Sequence, residues 1–148
     1  MEAYFDLFAQ MVTGLVEIHG KAHMHRDLKP ENVFLVRNGA ILIAKLGDFG
    51  LARGFEASLA SYTKGVGSNP YMSPEQHNHE QYGPSADVWA LGVIAYEMLS
   101  GGHPFDSTER VLKAGPKPMP AWVKKEVQEL VMNLLEKDPQ KRKTACQI

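Results

Sequence analysis

His25-Arg26-Asp27-Leu28-Lys29-Pro30-Glu31-Asn32 is the stretch on which the reading of this chain turns. Within eight residues it sets out a carboxylate at Asp27, an ammonium at Lys29 and a carboxamide at Asn32. It falls in an expected loop, from about Lys21 to Asn32. An amphipathic helix is predicted before that loop: Phe5, Phe8, Met11, Val12, Leu15 and Val16 recur at helical spacing, and Gly20 offers a stop. After the loop, Val33-Phe34-Leu35-Val36 and Ile41-Leu42-Ile43 flank Asn38-Gly39. An Asn-Gly pair takes positive φ at low cost, so a β-hairpin is predicted. The hairpin leads to a second polar group, Asp48-Phe49-Gly50, so Asn32 and Asp48 sit at its opposite ends. Strand pairing can bring both to one edge.

Further along, residues 50–70 are rich in Gly, Ser and Thr and show no clear period, which predicts a long loop. Long loops within compact domains are commonly functional or mobile. Ser73-Pro74-Glu75 follows it. Asp87 to Ser100 reads as a helix, with Val88, Trp89, Leu91, Val93, Ile94, Met98 and Leu99 around most of its circumference. A helix apolar nearly all round belongs in a core, and Gly101-Gly102 ends it. Asp106-Ser107-Thr108 can cap a shorter helix, Pro116 to Pro120 form a stiff connector, and Val127, Leu130, Val131, Leu134 and Leu135 mark a last helix. The expected fold class is mainly α with one small β-hairpin.

The octapeptide, Asp48-Phe49-Gly50 and Ser73-Pro74-Glu75, in that order, resemble the catalytic loop, magnesium-binding motif and activation-segment end of eukaryotic protein kinases. The fold implied is the carboxy-terminal lobe of a kinase, itself part of an α+β kinase fold, and the resemblance covers essentially the whole chain. It implies a reaction in which a protein serine or threonine takes the γ-phosphoryl group of ATP. Asp27 would orient the acceptor hydroxyl and accept its proton. Lys29 would face the γ-phosphate as a compact point charge. Asn32 and Asp48 offer oxygen ligands suited to Mg²⁺, and Phe34 matches the position that floors the adenine ring. Lys29-Pro30-Glu31-Asn32 resembles the serine/threonine class rather than the tyrosine-specific one. Ser68 matches a hydroxyl position on the acceptor side.

The resemblance extends to regulation and frame. Arg26 matches an arginine that binds a phosphate on the activation loop, and a guanidinium fork suits that task. Thr63 is the best candidate acceptor, with Ser61 and Ser58 behind it. Glu75 and Arg142 match a buried pair, Asp87 a carboxylate that accepts backbone hydrogen bonds from the catalytic loop, and His25, Phe49 and Asp87 an internal stack. Trp89 and Gly92 complete an Asp-x-Trp-x-x-Gly pattern. Two strings, Lys45 to Arg53 and Tyr71 to Gln76, look closest to the never-in-mitosis-related kinases.

The chain also departs from the family. Sixteen positions separate Asn32 from Asp48, about three more than is usual, which a longer turn near Asn38 would absorb. Ser68-Asn69-Pro70-Tyr71 replaces the commoner Thr-Pro-Tyr-Tyr, so substrate preference does not transfer. The 148 residues hold no glycine-rich phosphate loop, no strand lysine and no helix glutamate, the parts that clamp ATP. Kinase domains run to about 250 residues, so residues 1–148 are expected to be a carboxy-terminal lobe lacking its amino-terminal lobe and last helix. Such a piece is expected to be inactive alone. The alternative is a truncated kinase or pseudokinase acting as a non-catalytic binding module.

Composition bounds the partners. Of 148 residues, 44% are hydrophobic and 22% charged, enough for a core rather than disorder. A net charge of −1 supplies no field for nucleic acid or anionic membrane. With Cys146 as the single cysteine, no internal disulfide can form. No basic start and no apolar run long enough for a bilayer is present, so a cytoplasmic protein is expected, with a nuclear one allowed. His23-Met24-His25 and His77-Asn78-His79 lack a third ligand, so zinc is not expected.

Overall fold

The computed structural model describes residues 2–47, 53–54 and 69–148. Asp48, Phe49, Ser58, Ser61, Thr63 and Ser68 lie outside the described residues. Helix α1 spans Glu2–Gly20 and is followed by strand β1, His23–Met24. A 3₁₀ turn at Pro30–Asn32 leads into β2, Val33–Asn38, and β3, Ile41–Leu46. Then come β4, Arg53–Gly54, and helices α2, Pro74–His77, α3, Ser85–Ser100, α4, Thr108–Lys113, and α5, Lys125–Leu134. A 3₁₀ turn at Ala145–Gln147 closes the chain.

The hairpin forms, with its turn one residue beyond the expected Asn38-Gly39 pair. β2 and β3 pair antiparallel from Val33↔Leu46 to Asn38↔Ile41, which leaves Gly39 and Ala40 as the turn, and Gly39 takes a positive φ of 61°. Gln10 on α1 serves the outer edge of β3. Its side-chain oxygen accepts from Ala44 N at 2.8 Å and its amide donates to Leu42 O at 3.2 Å. Edge groups that would otherwise need water are thereby held by the helix. β1 and β4 pair as His23↔Gly54 and Met24↔Arg53, a second small sheet within segments expected to be loop.

Helix α3 is the axis of the fold. Every residue from Ala86 to Tyr96 is buried, as its all-round apolar pattern predicts. One side meets Phe105, Val111, Val123, Val131 and Leu135. The other side meets Met11, Leu15, Leu28 and Leu134. Gly92 permits the approach of α5, because a Cβ there would stand 2.7 Å from Leu134 Cβ. Gly101, at φ 74°, ends α3 in the left-handed conformation. Ser107 accepts from Arg110 N at 3.3 Å and caps α4 as expected. Among the described residues, no helix is long and apolar enough to cross a membrane.

Candidate active site

The loop between β1 and β2 is held from below by one carboxylate. Asp87, in the first turn of α3 and 3% exposed, accepts from His25 N at 2.9 Å and from Arg26 N at 2.8 Å. His19, in the last turn of α1, donates from Nε2 to the same Asp87 at 2.9 Å. Arg26 sits at φ 71°, a conformation that costs an L-residue energy and persists where its surroundings over-determine it. Two backbone N–H hydrogen bonds to a buried carboxylate supply that determination. His25 is fully buried and its Nε2–H donates to Gly47 O at 2.9 Å. The loop is thus fastened on one side to α3 and on the other to the end of the hairpin.

Above this anchor the three polar side chains of the loop converge. Lys29 Nζ lies 3.0 Å from Asp27 Oδ2. Asn32 Nδ2 donates to Asp27 O at 2.7 Å and to Asp27 Oδ2 at 3.2 Å. The 3₁₀ turn at Pro30–Asn32 makes this possible, because it folds Asn32 back over Asp27. Asn32 is 5% exposed, whereas Asp27 and Lys29 keep partial access to solvent. With Nδ2 spent on Asp27, the amide oxygen is the end of Asn32 left to ligate. A hard oxygen of this kind suits Mg²⁺. Gly47, the residue before Asp48, donates its amide to Asn32 O at 2.9 Å. Phe34 is 52% exposed, and its ring lies over Gly47, where a Cβ would meet Phe34 Cε2.

The frame beneath is an ion pair. Glu75, on α2, and Arg142 form a two-toothed bridge, with Nη1 to Oε1 at 2.8 Å and Nη2 to Oε2 at 3.1 Å. Arg142 also donates to Ser85 O, Glu136 O and Lys137 O, and its guanidinium lies 5.2 Å from the Trp89 ring centroid. Next to α2, Tyr71 donates its hydroxyl to Glu97 Oε2 on α3 at 3.0 Å. Burial, then the bond to Glu97, holds the Tyr71 hydroxyl protonated well above the usual phenol range.

Of the residues singled out in the sequence, Asp27, Lys29 and Asn32 come together, and His25, Arg26 and Asp87 form the anchor beneath them. Glu75 and Arg142 meet as a pair farther down. Sequence reading missed His19, Gln10 and Glu97. Each is an ordinary helical polar residue in the sequence, and only the tertiary partner distinguishes it.

The chain thus forms a mainly helical lobe with a short hairpin, and its polar loop is carried on a buried carboxylate. A family model described as "Protein kinase domain" matches residues 2–148, and the chain belongs to that family. Its relatives include a serine/threonine-protein kinase of Corynebacterium efficiens, 40% identical over 149 residues, covering 95% of this chain and 28% of that protein. Mouse serine/threonine-protein kinase Nek3 is 38% identical, over 97% of this chain and 29% of the relative. Human Nek5 is 33% identical, over 91% of this chain and 20% of the relative. The chain therefore spans less than a third of the length of these relatives.

Proposed function

We propose that this chain carries the acceptor and phosphoryl-transfer side of a serine/threonine protein kinase, which moves the γ-phosphoryl group of ATP to a protein hydroxyl. One observation carries the reading: Lys29 Nζ and Asn32 Nδ2 both converge on Asp27 Oδ2. That cluster joins a proton acceptor, a cation and a metal-ligating oxygen within one turn of chain. Asp27 orients the incoming serine or threonine hydroxyl and takes its proton as the oxygen bonds to phosphorus. Lys29 offsets the charge on the transferred group. Asn32 and Asp48 would hold Mg²⁺, which supplies charge neutralisation at the phosphate oxygens when bound. Phe34, exposed at the hairpin end, forms the floor for the adenine ring. By resemblance, Ser68 would serve the acceptor side and Arg26 would receive a phosphate on Thr63.

These 148 residues are the carboxy-terminal lobe in this reading. They include no glycine-rich loop or strand lysine to grip the β- and γ-phosphates. The chain alone accordingly transfers phosphate at close to background rate. The second reading, a non-catalytic binding module, draws on the exposed apolar residues of the hairpin, Phe34, Leu35, Val36 and Ile41.

The test fuses residues 1–148 behind the nucleotide-clamping lobe of a related serine/threonine kinase. Labelled γ-phosphoryl transfer to a serine-containing protein is expected, with Asp27→Asn lowering the rate by about 10²–10⁴-fold. Mapping the active fusion is expected to find phosphate on Thr63 rather than on Ser61 or Ser58. A fusion that binds ATP yet transfers nothing would favour the binding module. Transfer that survives Asp27→Asn would remove Asp27 from its role.

A further inference from the structure

The segment from Asn69 to Met72 links residue 68 to α2, and it is fastened from an unexpected quarter. His103, in the loop after α3, places Nε2 3.0 Å from Pro70 O. Its ring stands edge-on to Tyr71, with centroids 6.0 Å apart. On the opposite side of the ring, Nδ1 lies 2.8 Å from Phe105 O and 3.2 Å from Phe105 N.

A carbonyl oxygen can only accept, so the Pro70 contact needs a hydrogen on Nε2 and the Phe105 O contact needs one on Nδ1. The Phe105 amide can donate to Nδ1 only when that second hydrogen is absent. The ring thus bridges Pro70 O to the Phe105 backbone. The surrounding charges come from several elements. Asp106, salt-bridged to Lys117, lies in the same loop, and Lys117 Nζ donates to His103 O at 3.3 Å. Arg110 on α4 acts on Asp106, which also feels His103. Tyr71 and its partner Glu97 stand on the α3 side.

We propose that His103 is a positioning residue for the acceptor side of the site, a clamp that ties Pro70 O to the Phe105 backbone. It keeps Tyr71 seated over Glu97 and so fixes how the chain enters α2. The word "acceptor" rests on the kinase reading, because Ser68 is placed there by resemblance. The clamp itself does not.

Nitrogen-15 spectra of the His103 ring in the 148-residue chain test the proposal without a substitution. A hydrogen is expected on Nε2, donated to Pro70 O. A neutral ring protonated on Nδ1 instead would overturn it. Two variants add an independent readout. In His103→Gln the side-chain amide nitrogen can replace Nε2; in His103→Asn it replaces Nδ1 and cannot reach Pro70. Exchange of the Met72 amide, bonded to Asn69 O at 3.1 Å, is expected to quicken about tenfold in the Asn variant and to stay within about twofold in the Gln variant. Equal exchange in both variants would refute the clamp. Neither readout depends on phosphoryl transfer, so the kinase reading stands or falls separately.

Discussion

Arg142 shows what a single side chain can organise. Its guanidinium has five N–H groups, and all five are taken up: two by the Glu75 carboxylate, and one each by the carbonyls of Ser85, Glu136 and Lys137. It therefore ties α2, the start of α3 and the chain after α5 to one point. The side chain is fully buried and Glu75 is 2% exposed, so the pair has no access to water if it is split. Arg142→Ala is expected to destabilise the chain by about 3–5 kcal/mol, chiefly because Glu75 is left buried without its partner. Adding Glu75→Gln to Arg142→Ala should recover part of that loss, since no charge is then stranded. Urea unfolding measures both, and a loss below about 1 kcal/mol for Arg142→Ala would show that the pair does not hold the fold. The pairing of Glu75 with Arg142 was legible in the sequence through family resemblance. The three carbonyl partners were not, because every residue has a carbonyl and only the tertiary fold selects which are used. The same reason hid His19 behind Asp87 and His103 behind Pro70.

At the scale of elements, the packing of α3 on α5 turns on Gly92. Glycine within a helix costs about 1 kcal/mol relative to alanine, so its presence needs a reason. A Cβ at this position would stand 2.7 Å from Leu134 Cβ and 3.2 Å from the Leu134 carbonyl carbon. Those atoms belong to or adjoin the α5 backbone and cannot rotate aside as a flexible side-chain end could. Overpacking of this kind typically costs about 1–3 kcal/mol. That matches or exceeds the propensity gain, so Gly92→Ala is expected to lower stability by up to about 2 kcal/mol, read from the thermal or urea midpoint. An increase would mean that α5 shifts freely and the crossing is loose. The elements longer than one period of their pattern were legible: α1, the hairpin, α3 and α5 follow from apolar spacing and from Asn38-Gly39. The 3₁₀ turn at Pro30–Asn32, α2 and the pairing of β1 with β4 were not. They run to two to four residues, too short for periodicity, and the strand pair depends on a contact between distant segments. It is the 3₁₀ turn that gathers Asp27, Lys29 and Asn32. The residues of the candidate site were thus readable in the sequence, while their convergence was not.

The described residues are built as an axis with two apolar sides and an exposed apolar rim. α3 supports both cores, and Asp87 at its start carries the polar loop to the edge. Beside that edge Phe34 and Leu35 are 52% and 55% exposed, and Ile41 is 62% exposed. Under the proposed function, one face of the nucleotide would rest on this rim, with the opposite face served by groups that these residues do not include. A ligand held on one side gains little, because few of its polar groups find partners and few of its apolar atoms leave water. At about 1 mM MgATP, binding no tighter than millimolar adds less than about 0.5 kcal/mol to stability, whereas saturation at a hundredfold over the dissociation constant adds about 2.7 kcal/mol. The 148-residue chain alone is expected to show the first value, and its fusion to a nucleotide-clamping lobe the second at saturating MgATP. Thermal unfolding with and without MgATP distinguishes them. In the fusion, Asp48→Asn should reduce the part of the shift that requires Mg²⁺, since it leaves Asn32 as the remaining proposed protein ligand. A shift in the isolated chain as large as that in the fusion would place the whole nucleotide grip within residues 1–148, and would reject the division of labour proposed for this lobe.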